Sequence, residues 1–220
     1  MRIATRLLVA WTMAALVACG GGDDAPPIAE RFPTEAEAPG TTPDPVEERQ
    51  TPEDLDEFIT ALTPALIDPD EDEMTTVFEE AGFERAGLDV RFFGEDHEAQ
   101  PHPPHLFSWF IELGSEDGAA DVLEWLEAET MKPCPESCAV TFSGFDVDGV
   151  PGARGVSRIA TEESIEAAGT EGEVPSESYW IGFTDGSIVY TVDLNGPPGS
   201  VSEAQAESIV SAFHDRLAAE

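Results

Sequence analysis

Apolar residues recur along this chain with two periods, one of about 3.6 and one of 2. Leu55, Phe58, Ile59 and Leu62 stand at i, i+3, i+4 and i+7, the stripe of one helix face. Thr51-Pro52-Glu53-Asp54 ahead of them offers an N-cap, a proline at the first helical position and acids in the first turn, so a folded domain is expected to begin at Thr51. Pro64 or Pro69 ends that helix. Met74, Val77, Phe78 and Ala81 predict a second helix from Asp70 to Ala81, closed by Gly82. The period then changes to 2. Strands are expected over Leu88 to Phe93 and Leu106 to Leu113, the latter with Phe107, Trp109, Ile111 and Leu113 on one side. Ser115 caps a helix running to about Glu129, whose buried stripe is Ala119, Val122, Leu123 and Leu126.

The second half repeats this grammar. Strands are predicted near Ala139 to Val147, Ala153 to Ala160, Tyr179 to Thr184 and Ser187 to Leu194, with Asp185-Gly186 as a tight hairpin turn. A last helix starts at the capping box Ser202-Glu203-Ala204-Gln205 and buries Ala206, Ile209, Val210, Phe213 and Leu217. The segment from Thr161 to Ser178 has no apolar period and reads as a long mobile loop. Helices and strands do not alternate strictly, which predicts an α+β fold, an antiparallel sheet covered by helices. Residues 106–128 and 188–219 each read as strand, Gly/Ser turn and acid-capped helix, which suggests a weak internal duplication.

The N-terminus changes the picture. Arg2 and Arg6 precede an apolar run from Leu7 to Ala18, interrupted only by Thr12 and stopped by Cys19 and three glycines. Such a run is too short to cross a bilayer core, which takes about 20 residues in a helix, and reads as a secretory signal. Its end, Leu16-Val17-Ala18-Cys19, resembles the lipobox of bacterial lipoproteins. The resemblance implies cleavage between Ala18 and Cys19, a diacylglyceryl thioether on the Cys19 thiol and acylation of the new amino group. It places the chain on the extracytoplasmic side of a cell membrane, held by lipid. Two or three acyl chains anchor stably where one does not. The arrangement is also similar to small exported lipoproteins of actinobacteria. Residues 19–50 are rich in Pro, Gly, Thr and acids, with almost no large apolar residue except Ile28 and Phe32, and read as a disordered spacer ahead of a single domain over 51–220.

Charge and chemistry narrow the function. The chain of 220 residues carries 46 Asp+Glu against 10 Lys+Arg, a formal net charge of -36, and removal of the signal takes away two arginines and no acid. That field repels phosphate backbones, so nucleic acid is excluded as a partner, and membrane contact must come through the lipid on Cys19. Self-repulsion destabilises the compact state and salt relieves it. With Cys19 acylated, Cys134 and Cys138 remain in an oxidising compartment and are expected to form a local disulfide. Their spacing and acidic neighbours do not suit a redox role. His97, His102 and His105 lie within nine residues beside Glu95, Asp96 and Glu98, a density of imidazole and carboxylate that suits Zn²⁺, Cu²⁺ or Ni²⁺. Pro101 interrupts any helix there, and a polar loop between two strands explains the same residues. Asp146-Val147-Asp148-Gly149 lacks the remaining ligands of a calcium loop and reads as a turn. Gly155-Val156-Ser157-Arg158-Ile159 lacks the second glycine of a nucleophile elbow. Trp109, Trp125 and Trp180 read as core. No catalytic residue and no cofactor are expected. The reading is a non-enzymatic binding or interaction domain of the cell envelope, with a cation or an envelope protein or glycan as partner. The alternative is metal capture by His97, His102 and His105, and a serine hydrolase comes third.

Overall fold

The computed structural model describes residues 28–43, 51–52, 54–63, 66, 69–94, 102–132, 139–168 and 174–219. Seven antiparallel strands form one sheet in the order β1-β2-β3-β7-β6-β5-β4, where β1 is Thr41–Pro43, β2 Arg85–Phe93, β3 His105–Glu112, β4 Val140–Phe145, β5 Arg154–Ala160, β6 Ser176–Asp185 and β7 Ile188–Gly196. The helices are α1 (Leu55–Leu62), α2 (Glu71–Glu80), α3 (Glu116–Thr130), α4 (Glu162–Ala168) and α5 (Glu203–Leu217). This is an α+β fold, as the pattern predicts.

Both faces of the sheet carry helices. Alternation sends Leu88, Trp109, Ile111, Val156 and Trp180 to a first face, where they pack with Phe58, Met74, Phe78, Val122 and Leu126 from α1, α2 and α3. Leu106, Phe110, Ile181, Tyr190, Val192 and Leu194 go to a second face, under Ala206, Ile209, Val210 and Phe213 of α5. The strand–turn–helix segments of the two halves lie with β3 and β7 side by side, and their helices α3 and α5 cover opposite faces. The turn at Asp185-Gly186 forms as expected: Gly186 has φ 55 and Asp185 pairs with Ile188.

Local signals set the helix starts. Asp70 accepts hydrogen bonds from the amides of Asp72 and Glu73, Ser115 from Gly118 at 3.0 Å, and Ser202 from Gln205 at 3.2 Å. The first helix corrects the expected start. The carbonyl of Pro52 accepts from the Ala86 amide at 2.9 Å, which holds Thr51-Pro52 against the edge of β2, and Asp54 becomes the N-cap, accepting from the amides of Asp56 and Glu57.

Two further expectations are corrected. The stretch from Thr161 to Ser178 is not a continuous loop: α4 occupies Glu162–Ala168, started by reciprocal hydrogen bonds between Thr161 and Ser164, and β6 begins at Ser176. Residues 28–43 are not spacer. They form a 3-10 turn at Ile28–Arg31 and strand β1, paired to β2 from Thr41↔Phe93 to Pro43↔Arg91. Phe32 is fully buried against Phe110, ring centroids 5.4 Å apart, over Gly87, where a Cβ would come within 2.8 Å of the Phe32 ring and 2.4 Å of Phe110. Arg31, 0% exposed, donates to Glu112 at 2.8 Å, and Glu112 also accepts from Arg85, its cross-strand partner. Arg216 on α5 donates to the carbonyls of Glu30 at 2.6 Å and Phe32 at 2.9 Å and pairs with Glu37. One aromatic plug and two arginine clips let a segment of spacer-like composition join the domain.

Candidate ligand cavity

Among the described residues, the helices on the first face leave part of the sheet uncovered. Between α1 and the C-terminal end of α3 lies a cavity of about 640 Å³. Its walls are mostly apolar: Ala61, Leu62 and Leu66 from α1 and the turn after it, Leu126 from α3 with Thr130 as its polar member, and Leu88, Phe107, Trp109, Ile111 and Trp180 from the sheet. Of the three tryptophans expected in the core, Trp109 and Trp180 are buried, at 7% and 6% exposure, and also line this space, whereas Trp125 is half-buried against Phe78.

Polar residues gather on one part of its floor. On β7 the first-face positions after Val189 are Thr191, Asp193 and Asn195, whereas the second-face positions are Ile188, Tyr190, Val192 and Leu194. Register places Asn195 opposite Ser178 and Ser178 opposite Arg158, and all three line the cavity with Asp193, Thr191 and Ser176. Arg158 donates to the Ser178 hydroxyl through Nε at 3.1 Å and a terminal nitrogen at 2.8 Å, and forms an ion pair with Asp193. Ser178 in turn donates to Asp193 at 2.6 Å. Arg158 and Asp193 retain only 16% and 20% side-chain exposure, so each depends on the other for much of its solvation.

An arginine in the inward phase of a strand is a signal that the sequence carries, and Arg158 is half-buried there. Arg158 alternates with Val156 and Ala160, both inward, and Asp193 alternates with Thr191 and Asn195. Neither matches a motif, and composition does not single them out. Polar residues on an inward face mark sheet that no apolar helix covers.

The residues picked from sequence fall elsewhere. Cys19, Cys134, Cys138 and His97 lie outside the described residues. His102 is exposed. His105 opens β3 with its ring edge-on to Phe107 at 4.8 Å and tilted against Phe92 at 5.9 Å, and its Nδ1 lies 2.9 Å from the Pro103 carbonyl. It stands opposite Asn195, in the cross-strand row that holds Ser178 and Arg158. Among the described residues no three of His, Cys, Asp and Glu stand close enough to hold a metal ion. Asp146 to Gly149 leave β4 as a turn, with Gly149 at φ 82. Among the described residues no helix is long and apolar enough to cross a membrane.

Electrostatic perturbation marks the second face. Burial alone would raise the Glu112 carboxyl, but the hydrogen bonds and charges of Arg85 and Arg31 outweigh it and hold the group below its ordinary value of 4.5. Burial pushes the Tyr190 phenol up to about 12, with Phe183 stacked on its ring at 5.3 Å and Phe213 edge-on at 5.3 Å.

No family model matches the sequence, and no curated protein matches it. The fold is similar to the crystal structure of the extracellular domain of PknH from Mycobacterium tuberculosis, with a TM-score of 0.52 and 15% identity over 87% of this chain and 94% of that one.

Proposed function

We propose that this chain is a lipid-anchored extracytoplasmic lipoprotein of the cell envelope, attached through Cys19, whose domain binds a ligand in the cavity on the first face and does not transform it. The cavity of about 640 Å³ carries the reading, because its size and its apolar walls with a few convergent polar groups are those of a small-molecule site. The lipobox-like end of the N-terminal apolar run supports the anchor, and likeness in fold to an extracellular domain supports the compartment. The polar groups suit binding rather than catalysis: the Ser178 hydroxyl accepts from Arg158 and donates to Asp193, so it is engaged on both sides. Cys134 and Cys138 form a local disulfide in this reading.

The anchor is tested by detergent partitioning and N-terminal mass spectrometry of the protein and its Cys19→Ala variant expressed in a bacterial host. The variant is expected to accumulate as uncleaved precursor. If it still entered the detergent phase at the mature mass, the anchor assignment would fail. Thiol alkylation under native and reducing conditions reads the cysteine pair, which is expected to react only after reduction.

A further inference from the structure

The charges lining the cavity name a class of ligand. This inference rests on the binding reading above and adds the chemistry of the ligand. Arg158 and Asp193 cancel, and both lie against the Ser178 hydroxyl. An anionic head group entering this floor would take Arg158 and leave the Asp193 carboxylate without its counter-ion in a low-dielectric site. A cationic one would do the reverse to Arg158. The excess of acids over the chain, a net -36, adds to the barrier against anions. An uncharged head leaves the pair intact: its hydroxyl or amide protons face Asp193 and the Asn195 carbonyl oxygen, and its oxygens face Arg158 and the Asn195 and Thr191 donors. Opposite this floor, among the described residues, the helices above contribute the apolar Ala61, Leu62, Leu66 and Leu126 and one polar side chain, Thr130, with Trp109 beside them. A free sugar would bury hydroxyls against the leucines unsatisfied, whereas an alkyl chain gains from the contact.

We propose that the cavity binds an uncharged amphiphile, a molecule with one alkyl or acyl chain against the helices and a small hydroxyl- or amide-bearing head on the Arg158–Asp193–Ser178 floor.

The test holds the chain constant and changes the head charge. Monooleoylglycerol, oleate and oleylamine are titrated, below the concentrations at which each aggregates, into the protein from Gly20 onward, which keeps every described element. Tryptophan fluorescence gives affinity and native mass spectrometry gives stoichiometry. Monooleoylglycerol is expected to bind one to one and at least tenfold more tightly than either charged compound. Asp193→Asn keeps the shape and frees the Arg158 charge, so it is expected to move the oleate-to-monooleoylglycerol affinity ratio at least tenfold toward oleate. Ala61→Trp, which fills the space from a half-buried helix position, is expected to abolish all three. Oleate binding the unaltered protein as tightly as monooleoylglycerol overturns the head-group assignment and leaves the cavity reading standing. So does a ratio unmoved in a folded Asp193→Asn protein. Failure of all three compounds to bind overturns both.

Discussion

The two faces of the sheet are built from the same strands and end differently. On the second face α5 and the N-terminal segment close over Leu106, Phe110, Tyr190 and Leu194 until Phe32 and Arg31 are fully buried. On the first face α1, α2 and α3 close over Ile111, Val156 and Val189 but part over the row that carries Asn195, Ser178 and Arg158. β7 records the difference within one strand: Tyr190, Val192 and Leu194 point one way, Thr191, Asp193 and Asn195 the other. A face that is packed shut holds the domain together. A face that is left open over polar residues has room to bind.

The sharpest way to break this comparison is to remove the closure. A chain begun at Thr51 loses β1, the Phe32 plug and both arginine clips, and is expected to be unfolded or molten by near-UV circular dichroism. Phe32→Ala alone is expected to cost about 3 to 5 kcal/mol in chemical denaturation, the range for a fully buried phenylalanine. A truncated chain with native stability would show that the N-terminal segment only rests on the sheet.

Glu112→Gln comes next, because it takes a carboxylate 2.8 Å away from the fully buried Arg31 guanidinium. A loss of about 2 to 3 kcal/mol at neutral pH is expected, somewhat under the usual cost of breaking a buried pair because Arg85 is partly exposed. The pH dependence has a definite sign. The folded state holds this carboxyl below 4.5, so between that folded value and 4.5 the unfolded chain binds more protons. The contribution is therefore full above 4.5 and is lost as the pH falls through the folded value. The Gln variant should lose less stability than the parent in an acid titration over that window. Parallel curves would remove the assigned role of Glu112.

Adding atoms separates the faces by a smaller margin. Gly87→Ala drives a methyl into the Phe32 and Phe110 rings and is expected to cost about 1 to 3 kcal/mol. Ala61→Trp adds far more volume to the cavity side and is expected to change stability by less than about 1 kcal/mol, since empty space receives it. Equal penalties by denaturant titration would mean that the first face is as closed as the second. The smallest effect belongs to both faces alike. With a net charge of -36, the melting temperature is expected to rise by a few degrees between low salt and 1 M NaCl as screening relieves self-repulsion. A flat or falling curve would show that net charge does not govern stability.

Much of the fold was legible because its signals are local. Asp70, Ser115 and Ser202 cap the helices that their spacing predicts, and Asp185-Gly186 makes the hairpin. The start of the domain was not legible. Phe32 is one aromatic in a segment of prolines and acids, and its partners Phe110 and Gly87 are remote in sequence. α4 was missed because a short helix with few apolar residues has no stripe to read, only the Thr161–Ser164 cap. The site was partly visible. Arg158 and Asp193 stand as charges in inward phase on their strands, whereas the histidine density around His105 is a pattern of the sequence alone, and His105 packs between Phe92 and Phe107.

The sequence by itself therefore determined the order of helices and strands, their capped ends and which residues face inward, because hydrogen bonds and side-chain period act over a few neighbours. Only the tertiary structure decided which inward positions are filled. Arg31 reaches Glu112 across 81 positions and Arg216 reaches Glu37 across 179, and the cavity between α1 and α3 that Arg158 and Asp193 line is a property of packed layers. Contacts at such separations depend on where whole elements come to rest, which no local pattern encodes.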